Sequence, residues 1–539
     1  MDPRELLSAL SLPSAFPEAG PDVRVIQTHI SMIFLTGERV YKVKKPVHFW
    51  GLVDYRTLER RRFYCEEEVR IDRRFAPEIY LGVLPVVRDA GGRIRVGGAV
   101  ANAEILDYAV VMRRFPDGAT LEDRIHDGTA APADVETIAR ALATLHTATS
   151  GNATVAFEGR PDVFERVLEA NLKGTEAAVP ALYPAPLHRA FADRLRRRLA
   201  DARTTLDRRV EERRLVDGHG DLRAEHAVWL PAGFGGGGGA WRLIDAIEFS
   251  TILRCIDPLA DVAFLAMDLA FQGRRDLSHV LLDAYLGARP DADAAELLPI
   301  YLSQRAHVRM AVDARVAVDA TVGEAARARA QRSATRHLLQ ATAYAHAGDR
   351  PTLVLVAGPS GVGKSAVTRT LAPILDADVF ASDVVRKELA GIAPTTRVIG
   401  AACDALYAPS MSARTYAELE ARAGRVLAGR GASILDATFL RRDQRARVYA
   451  LARAHAARIV LLWGSASLEL VRERIAARAA EGADPSDATL DIHRAQLAEM
   501  DAPDDATEWV PIVRFDAKDD VAAVLLPVAA ALWGDPTVV

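Results

Sequence analysis

The residues best placed to do chemistry form the run Gly358-Pro359-Ser360-Gly361-Val362-Gly363-Lys364-Ser365. It satisfies the spacing G-x-x-x-x-G-K-[ST] without a gap, and a loop of this kind turns its backbone N–H groups inward around phosphate oxygens. Lys364 would reach the β- and γ-phosphates of a nucleoside triphosphate, and Ser365 would hold Mg²⁺ through its hydroxyl. Further on, Asp383 and Arg386 stand three apart at a helix start. A carboxylate there can take the proton of an attacking hydroxyl, and an arginine can clamp an anionic group on the acceptor. Asp436, in Leu435-Asp436-Ala437-Thr438, is the candidate carboxylate behind the metal. Arg474 and Arg478 share one helix face, a spacing that suits equally a lid over the transferring phosphoryl group and a solvated surface. Tyr407, Arg414 and Tyr416 are open between lining an acceptor pocket and packing.

A second set lies upstream. His219-Gly220-Asp221 and Leu243-Ile244-Asp245 flank a hairpin. Phosphorylating a hydroxyl takes one carboxylate to orient and deprotonate the acceptor, and another to hold a divalent cation against the triphosphate. Lys42 on a strand and Glu68 on the next helix can form the ion pair that grips the α- and β-phosphates, with Lys44, Glu66 and Glu67 as the alternatives at each end.

Stepwise along the chain, the elements that must position these groups are legible. Val23 to Gln27, Ser31 to Leu35 and Arg39 to Val43 are short β-branched runs, the last two joined by a Thr36-Gly37-Glu38 turn. A helix is predicted over Tyr55 to Arg74, then strands near Tyr80 to Val87 and Tyr108 to Met112. Helices follow over 133–147 and 162–172, and the stripe Leu195, Leu199, Ala202, Leu206, Val210 predicts a third. Its arginines, Arg194, Arg196 to Arg198, Arg208 and Arg209, interleave with acidic residues and read as a solvated face. The tract Gly235 to Gly239 lies between strand-like pieces 227–230 and 241–244, as a hairpin with an expanded flexible tip. After a boundary at Ala347 to Pro351, strands at 353–357, 377–380, 433–435, 458–463 and 512–515 alternate with helices, the pattern of a parallel sheet. Two domains are expected, 1–347 and 348–539, with Val521 to Trp533 as a terminal helix on the second.

The composition bounds the rest. With 539 residues, half of them hydrophobic, and a formal net charge of −4, the chain is ordinary for a soluble, cytoplasmic protein, and a whole-chain role in nucleic-acid backbone binding is not favoured. Cys65, Cys255 and Cys403 make no metal-ligand pattern and suit a reduced compartment. No secretory signal and no membrane-spanning run is evident; oligomeric state is not legible.

From about Val23 to Asp268 the chain resembles the aminoglycoside phosphotransferase family, small-molecule relatives of protein kinases, most specifically through HGD at 219–221 and LID at 243–245. The resemblance implies a bilobal α+β protein-kinase-like fold, ATP as donor, Asp221 as catalytic base, Asp245 as metal ligand and Lys42 as phosphate anchor. It also implies Asp257 and Asp261 as structural aspartates. Where the family has an asparagine as second metal ligand, this chain has His226, a better ligand for Mn²⁺ or Zn²⁺ than for Mg²⁺. The turn Gln27 to Ile30 lacks the glycines expected over the phosphates. From about Leu353 to Gln496 the chain is similar to small P-loop kinases: polynucleotide 5′-hydroxyl kinases, gluconate kinases and the zeta-toxin group. This implies an α/β P-loop NTPase fold with a parallel sheet. Together the resemblances imply an ATP-dependent phosphotransferase acting on a small-molecule hydroxyl, with Mg²⁺ as cofactor and Mn²⁺ the alternative at the first site. A nucleic-acid 5′-hydroxyl end kinase and an ATP-sensing protein with a degenerate first domain are the alternatives, since the fold does not name the acceptor.

Overall fold

A computed structural model describes the chain except residues 1–2, 19–21, 50–52, 99–102, 395, 397, 399–404, 482–489, 517, 519–520 and 535–539, and except the side chains of 49, 180, 236, 477–481 and 521–522. The described residues form two compact units, one of 1–166, 203–269 and 276–294, the other of 167–202, 270–275 and 295–539. Most of the helical residues of 167–202 and 295–345 group with the P-loop sheet.

The first unit opens on a six-stranded antiparallel sheet. Its strands are β1 (Arg24–Gln27), β2 (Ser31–Leu35), β3 (Arg39–Lys44), β4 (Tyr80–Arg88), β5 (Ile94–Val96) and β6 (Glu104–Arg113), in the order β1-β2-β3-β6-β4-β5. Strand alternation sorts β3 into two faces. Tyr41 and Val43 pack with Met32, Phe34, Val86 and Val111 in one apolar cluster. Lys42 and Lys44 therefore point the other way, toward helix α1 (Leu58–Asp72). That helix starts where Thr57 accepts a hydrogen bond from the Arg60 N–H, and it seats Cys65 and Val69 against Val110 and Tyr80. Farther along lie α2 (Pro132–Thr149), α3 (Arg203–Glu211), the antiparallel pair β7 (Ala227–Leu230) and β8 (Ala240–Leu243), α4 (Pro258–Phe271) and α5 (Arg275–Ala288). The glycine tract is a turn with a short 3₁₀ segment at Phe234–Gly236.

Two expectations are corrected here. The stripe over 195–210 is not one helix: Ala185–Asp201 ends at Ala202 and α3 begins anew, and the two halves belong to different compact units. Arg209 is not on a solvated face. It is fully buried, donating to Asp257 at 2.6 and 2.9 Å, to Asp291 at 2.8 and 2.9 Å and to Asp293 at 3.0 Å. Three carboxylates satisfy one guanidinium fork, which is the condition for burying such a charge.

The second unit holds five parallel strands, β9 (Thr352–Ala357), β10 (Ala377–Ala381), β11 (Ala432–Asp436), β12 (Arg458–Ser465) and β13 (Ile512–Asp516), in the order β10-β11-β9-β12-β13. Every residue of β9 is buried, as a central parallel strand covered on both faces requires. Helices α6 (Lys364–Leu375), α7 (Ser382–Leu389), α8 (Pro409–Ala428), α9 (Arg442–Ala454), α10 (Leu468–Glu481) and α11 (Leu490–Glu499) connect or follow the strands. The apolar terminal helix α12 (Val521–Trp533) packs on β12, β13 and the helix Glu324–Ala345 of the same unit. Among the described residues no helix is long and apolar enough to cross a membrane.

Candidate functional site: two kinase-like centres

In the first unit the two strand lysines share the helix glutamate. Lys42 Nζ lies 3.0 Å from Glu68 Oε1 and 2.5 Å from Asp245 Oδ1, while Lys44 Nζ lies 2.6 Å from Glu68 Oε2 and also pairs with Glu248. The alternatives Glu66 and Glu67 turn outward to Arg62 and Arg70, so Glu68 is the inward carboxylate. Burial works against the charge on Lys42, but Asp245 and Glu68 outweigh it and hold its pKa well above lysine's ordinary value. For Asp245, burial is likewise overcome by Lys42 and His226, which keep the carboxyl well below the usual range. Sequence reasoning passed over Glu248, which accepts from the Tyr55 hydroxyl at 2.7 Å, and Asp72, which accepts the Ala246 N–H at 2.9 Å. Burial pushes the Asp72 carboxyl far up. For Asp72 the available signal is periodicity, one helical turn after Glu68 on α1; Glu248 lies in irregular chain after β8 and carries no such signal.

Asp221 and Asp245 face the two nitrogens of one imidazole. His226 Nδ1 donates to the Asp221 carbonyl at 2.7 Å and lies 3.8 Å from Asp221 Oδ2; Nε2 lies 3.8 Å from Asp245 Oδ2. With the proton on Nδ1, the Nε2 lone pair accepts from Arg223 Nη2 at 3.4 Å and stands beside Asp245. The donor set, one imidazole nitrogen and one carboxylate oxygen with a second carboxylate close by, fits a divalent cation that takes its remaining ligands from phosphate and water. Among the described residues there is no cage of three or more His, Cys, Asp or Glu.

The HGD loop is fixed by Asp261 on α4. Its carboxylate accepts the N–H of His219 at 2.7 Å and of Gly220 at 3.0 Å, and it meets His146 Nε2 of α2 at 3.1 Å. Burial would raise this carboxyl, but His146 and the amides hold it well below the usual range. Asp257 serves structure through Arg209. At Gln27 to Ile30, Thr28 Oγ1 accepts from the Ser31 N–H at 3.0 Å, closing with a hydroxyl the turn that lacks glycine.

In the second unit the P-loop joins the carboxyl end of β9 to α6. Gly358 has φ +124°, and a Cβ there would stand 2.5 Å from the Gly464 carbonyl oxygen, so only glycine fits. Lys364 Nζ donates to the carbonyls of Gly358 at 3.0 Å and Pro359 at 2.8 Å. Asp436 ends the neighbouring β11 and is held by hydroxyl hydrogen bonds from Ser365 and Thr368, the latter at 3.3 Å. Burial raises its pKa, partly offset by Lys364 and those hydroxyls. Glycines, a lysine, a hydroxyl and a strand-end carboxylate on one crevice fit a triphosphate with its Mg²⁺.

On the acceptor side, Arg386 donates to Asp383 at 3.0 Å and lies over the Tyr407 ring at 4.5 Å. Tyr416 is buried, its hydroxyl 3.0 Å from Thr438 Oγ1, and Arg414 is exposed. Arg474 sits on the loop itself: a Cβ on Gly363, at φ +94°, would lie 2.6 Å from its Nη1. The Arg478 side chain and Cys403 lie outside the described residues, whereas Cys65 and Cys255 are buried free thiols.

These two arrangements define the class: an aminoglycoside-phosphotransferase-like kinase fold and a P-loop kinase fold carried on one chain. A family model described as an AAA domain matches residues 353–503. The uncharacterized protein Rv2004c of Mycobacterium tuberculosis is 32% identical over 480 residues, spanning 89% of this chain and 90% of the relative, as is the uncharacterized protein Mb2027c of Mycobacterium bovis. The chain belongs to the family of these mycobacterial proteins. Among solved structures, a choline/ethanolamine kinase family protein from Mesorhizobium loti is 16% identical, with a TM-score of 0.38, over 69% of this chain and 98% of its own. A putative kinase from Chloroflexus aurantiacus is 19% identical, with a TM-score of 0.28, over 34% and 98% respectively.

Proposed function

We propose that the chain is an ATP-dependent phosphotransferase with two centres, each moving the γ-phosphoryl group of ATP to a hydroxyl of a small molecule. In the first, Asp221 accepts the hydroxyl proton as the acceptor oxygen bonds to the γ-phosphorus and the bond to the β,γ-bridging oxygen breaks, releasing ADP. Lys42, held by Glu68, anchors the phosphates, and His226 with Asp245 holds the divalent cation. In the second, the 358–365 loop cradles the triphosphate and Lys364 reaches its terminal phosphates. Ser365 and Asp436 serve Mg²⁺, Asp383 takes the acceptor proton, Arg386 orients the acceptor, and Arg474, with Arg478 on the same helix, neutralises charge on the phosphoryl group. The bound cation supplies charge neutralisation along the triphosphate. Everything else is positioning and electrostatics from the chain's own groups.

The observation that carries this reading is the line Glu68–Lys42–Asp245, which runs from a buried glutamate to a half-exposed aspartate, with Asp221 on the far side of His226. It gathers residues 203 positions apart, and it supports reading Lys42 as the anchor and Asp245 as the metal end. The test is transfer of label from γ-labelled ATP into a pool of metabolites and RNA by the intact protein, Asp221→Ala and Lys364→Ala. Two labelled products, each lost with a different substitution, are expected. Label entering RNA alone would instead select an end kinase, and ATP binding without any product would select a sensor.

A further inference from the structure

The P-loop is gripped from outside by a helix that phosphate chemistry does not use. Ser360 donates its N–H to Gln496 Oε1 at 2.8 Å, and its carbonyl accepts from His493 Nδ1 at 2.7 Å. Both partners lie on α11, three residues apart and so on one face, and His493 is buried.

Across a planar trans peptide, the C=O and the following N–H point in opposite directions. The Pro359–Ser360 peptide sends its N–H out to Gln496 and its carbonyl to the other side, where Lys364 Nζ donates to it at 2.8 Å. The Ser360–Gly361 peptide sends its carbonyl out to His493, which leaves the Gly361 N–H facing away from α11. Two contacts thus set two consecutive peptide planes. Were the second plane to flip, a carbonyl oxygen would replace an N–H donor, and an anion would meet a partial negative charge where it needs a positive one.

We propose that His493 and Gln496 are positioning residues that hold the P-loop in its phosphate-accepting form. They do so from α11, while α10 brings Arg474 against Gly363 of the same loop. The seating of α10 and α11 and the shape of the loop are then one equilibrium: whatever unseats α11 loosens the grip on nucleotide.

The proposal rests on the 358–365 loop being the nucleotide site, and the test separates the two. ATP binding to the full-length Lys42→Met chain, with the first centre's phosphate anchor removed, is titrated calorimetrically in that background and with His493→Ala, Gln496→Met, His493→Asn or Lys364→Ala added. Gln496→Met keeps the side chain's bulk without its acceptor, and His493→Asn puts an N–H donor where Nδ1 stood. His493→Ala and Gln496→Met should each weaken binding at the P-loop by about tenfold, with His493→Asn recovering most of the loss. Affinities within about a factor of two of the parent for both would overturn the proposal. So would a loss that His493→Asn fails to rescue while the melting temperature falls, which would mark a packing role. If Lys364→Ala also leaves P-loop binding intact, the reading of the loop itself has failed; if it abolishes binding while the α11 variants do nothing, only the positioning role has.

Discussion

His226 Nε2 and Asp245 Oδ2 stand 3.8 Å apart, and the same ring spends its Nδ1 proton on the Asp221 carbonyl at 2.7 Å. The lone pair on Nε2 therefore faces Arg223 Nη2, at 3.4 Å, as well as the Asp245 side. A nitrogen ligand there disfavours Mg²⁺, which prefers an all-oxygen shell. His226→Asn should shift the metal preference of the first product toward Mg²⁺, changing the Mn²⁺-to-Mg²⁺ rate ratio by about tenfold. Mn²⁺ binding followed by paramagnetic resonance should weaken in the same variant. An unchanged ratio with unchanged Mn²⁺ binding would place His226 outside the metal shell.

Asp221→Asn removes the proton acceptor and the charge that faces Arg223 Nη2 at 3.2 Å, while the loop around it stays held by Asp261. The first product should form about 10² to 10⁴ times more slowly. The P-loop product and the melting temperature should be unaffected; a loss of both products would mean that the loop had collapsed.

Lys44 is fully buried between Glu68 and Glu248, whereas Lys42 borders the half-exposed Asp245. Removing Lys44 leaves two buried carboxylates facing each other. Lys44→Met should therefore cost about 3–5 kcal/mol in denaturant unfolding. Burial opposes the Lys44 charge, but Glu248 and Glu68 raise its pKa well above 10.5. Its contribution is complete below that value and lost as pH rises past it. Lys42→Met should lose the first product at a smaller cost in stability.

Burial lowers His219 to about 4 and His307 to about 3, from an ordinary 6.5. Each stays neutral in the folded chain and takes up a proton on unfolding, so stability should fall as pH drops below 6.5. The slope is about 1.4 kcal/mol per pH unit for each histidine, flattening below its folded value. Urea midpoints between pH 7.5 and 4.5 measure this, and His307→Asn should remove one proton's share from the second unit.

Much of this was legible because it is local. The P-loop is contiguous, and Asp383 and Asp436 follow strands whose apolar runs mark them out, so motif and element located each other. The five strands of the parallel sheet and the Lys42 strand read correctly for the same reason. What failed to read is long-range charge compensation. Arg209 sits in a helix stretch thick with charge, and only the fold brings Asp257, Asp291 and Asp293 around it. Glu248 lies 204 residues from the lysine it neutralises. His493 and Gln496 occupy a helix with no motif, and their meaning depends on one backbone peptide of Ser360. The division at Ala202 was hidden because the apolar stripe runs through it unbroken.

The compact units interleave along the chain, which passes from one to the other at 166/167, 202/203, 269/270, 275/276 and 294/295. A gene cut at 348 would leave behind the helices over 167–202 and 295–345 that group with the P-loop sheet. During synthesis the second unit must wait for its last strands while part of it has long since emerged. A single crossover between the two sets of site residues, within 295–351, would carry each set whole yet part the second unit's sheet from its own helices over 167–202.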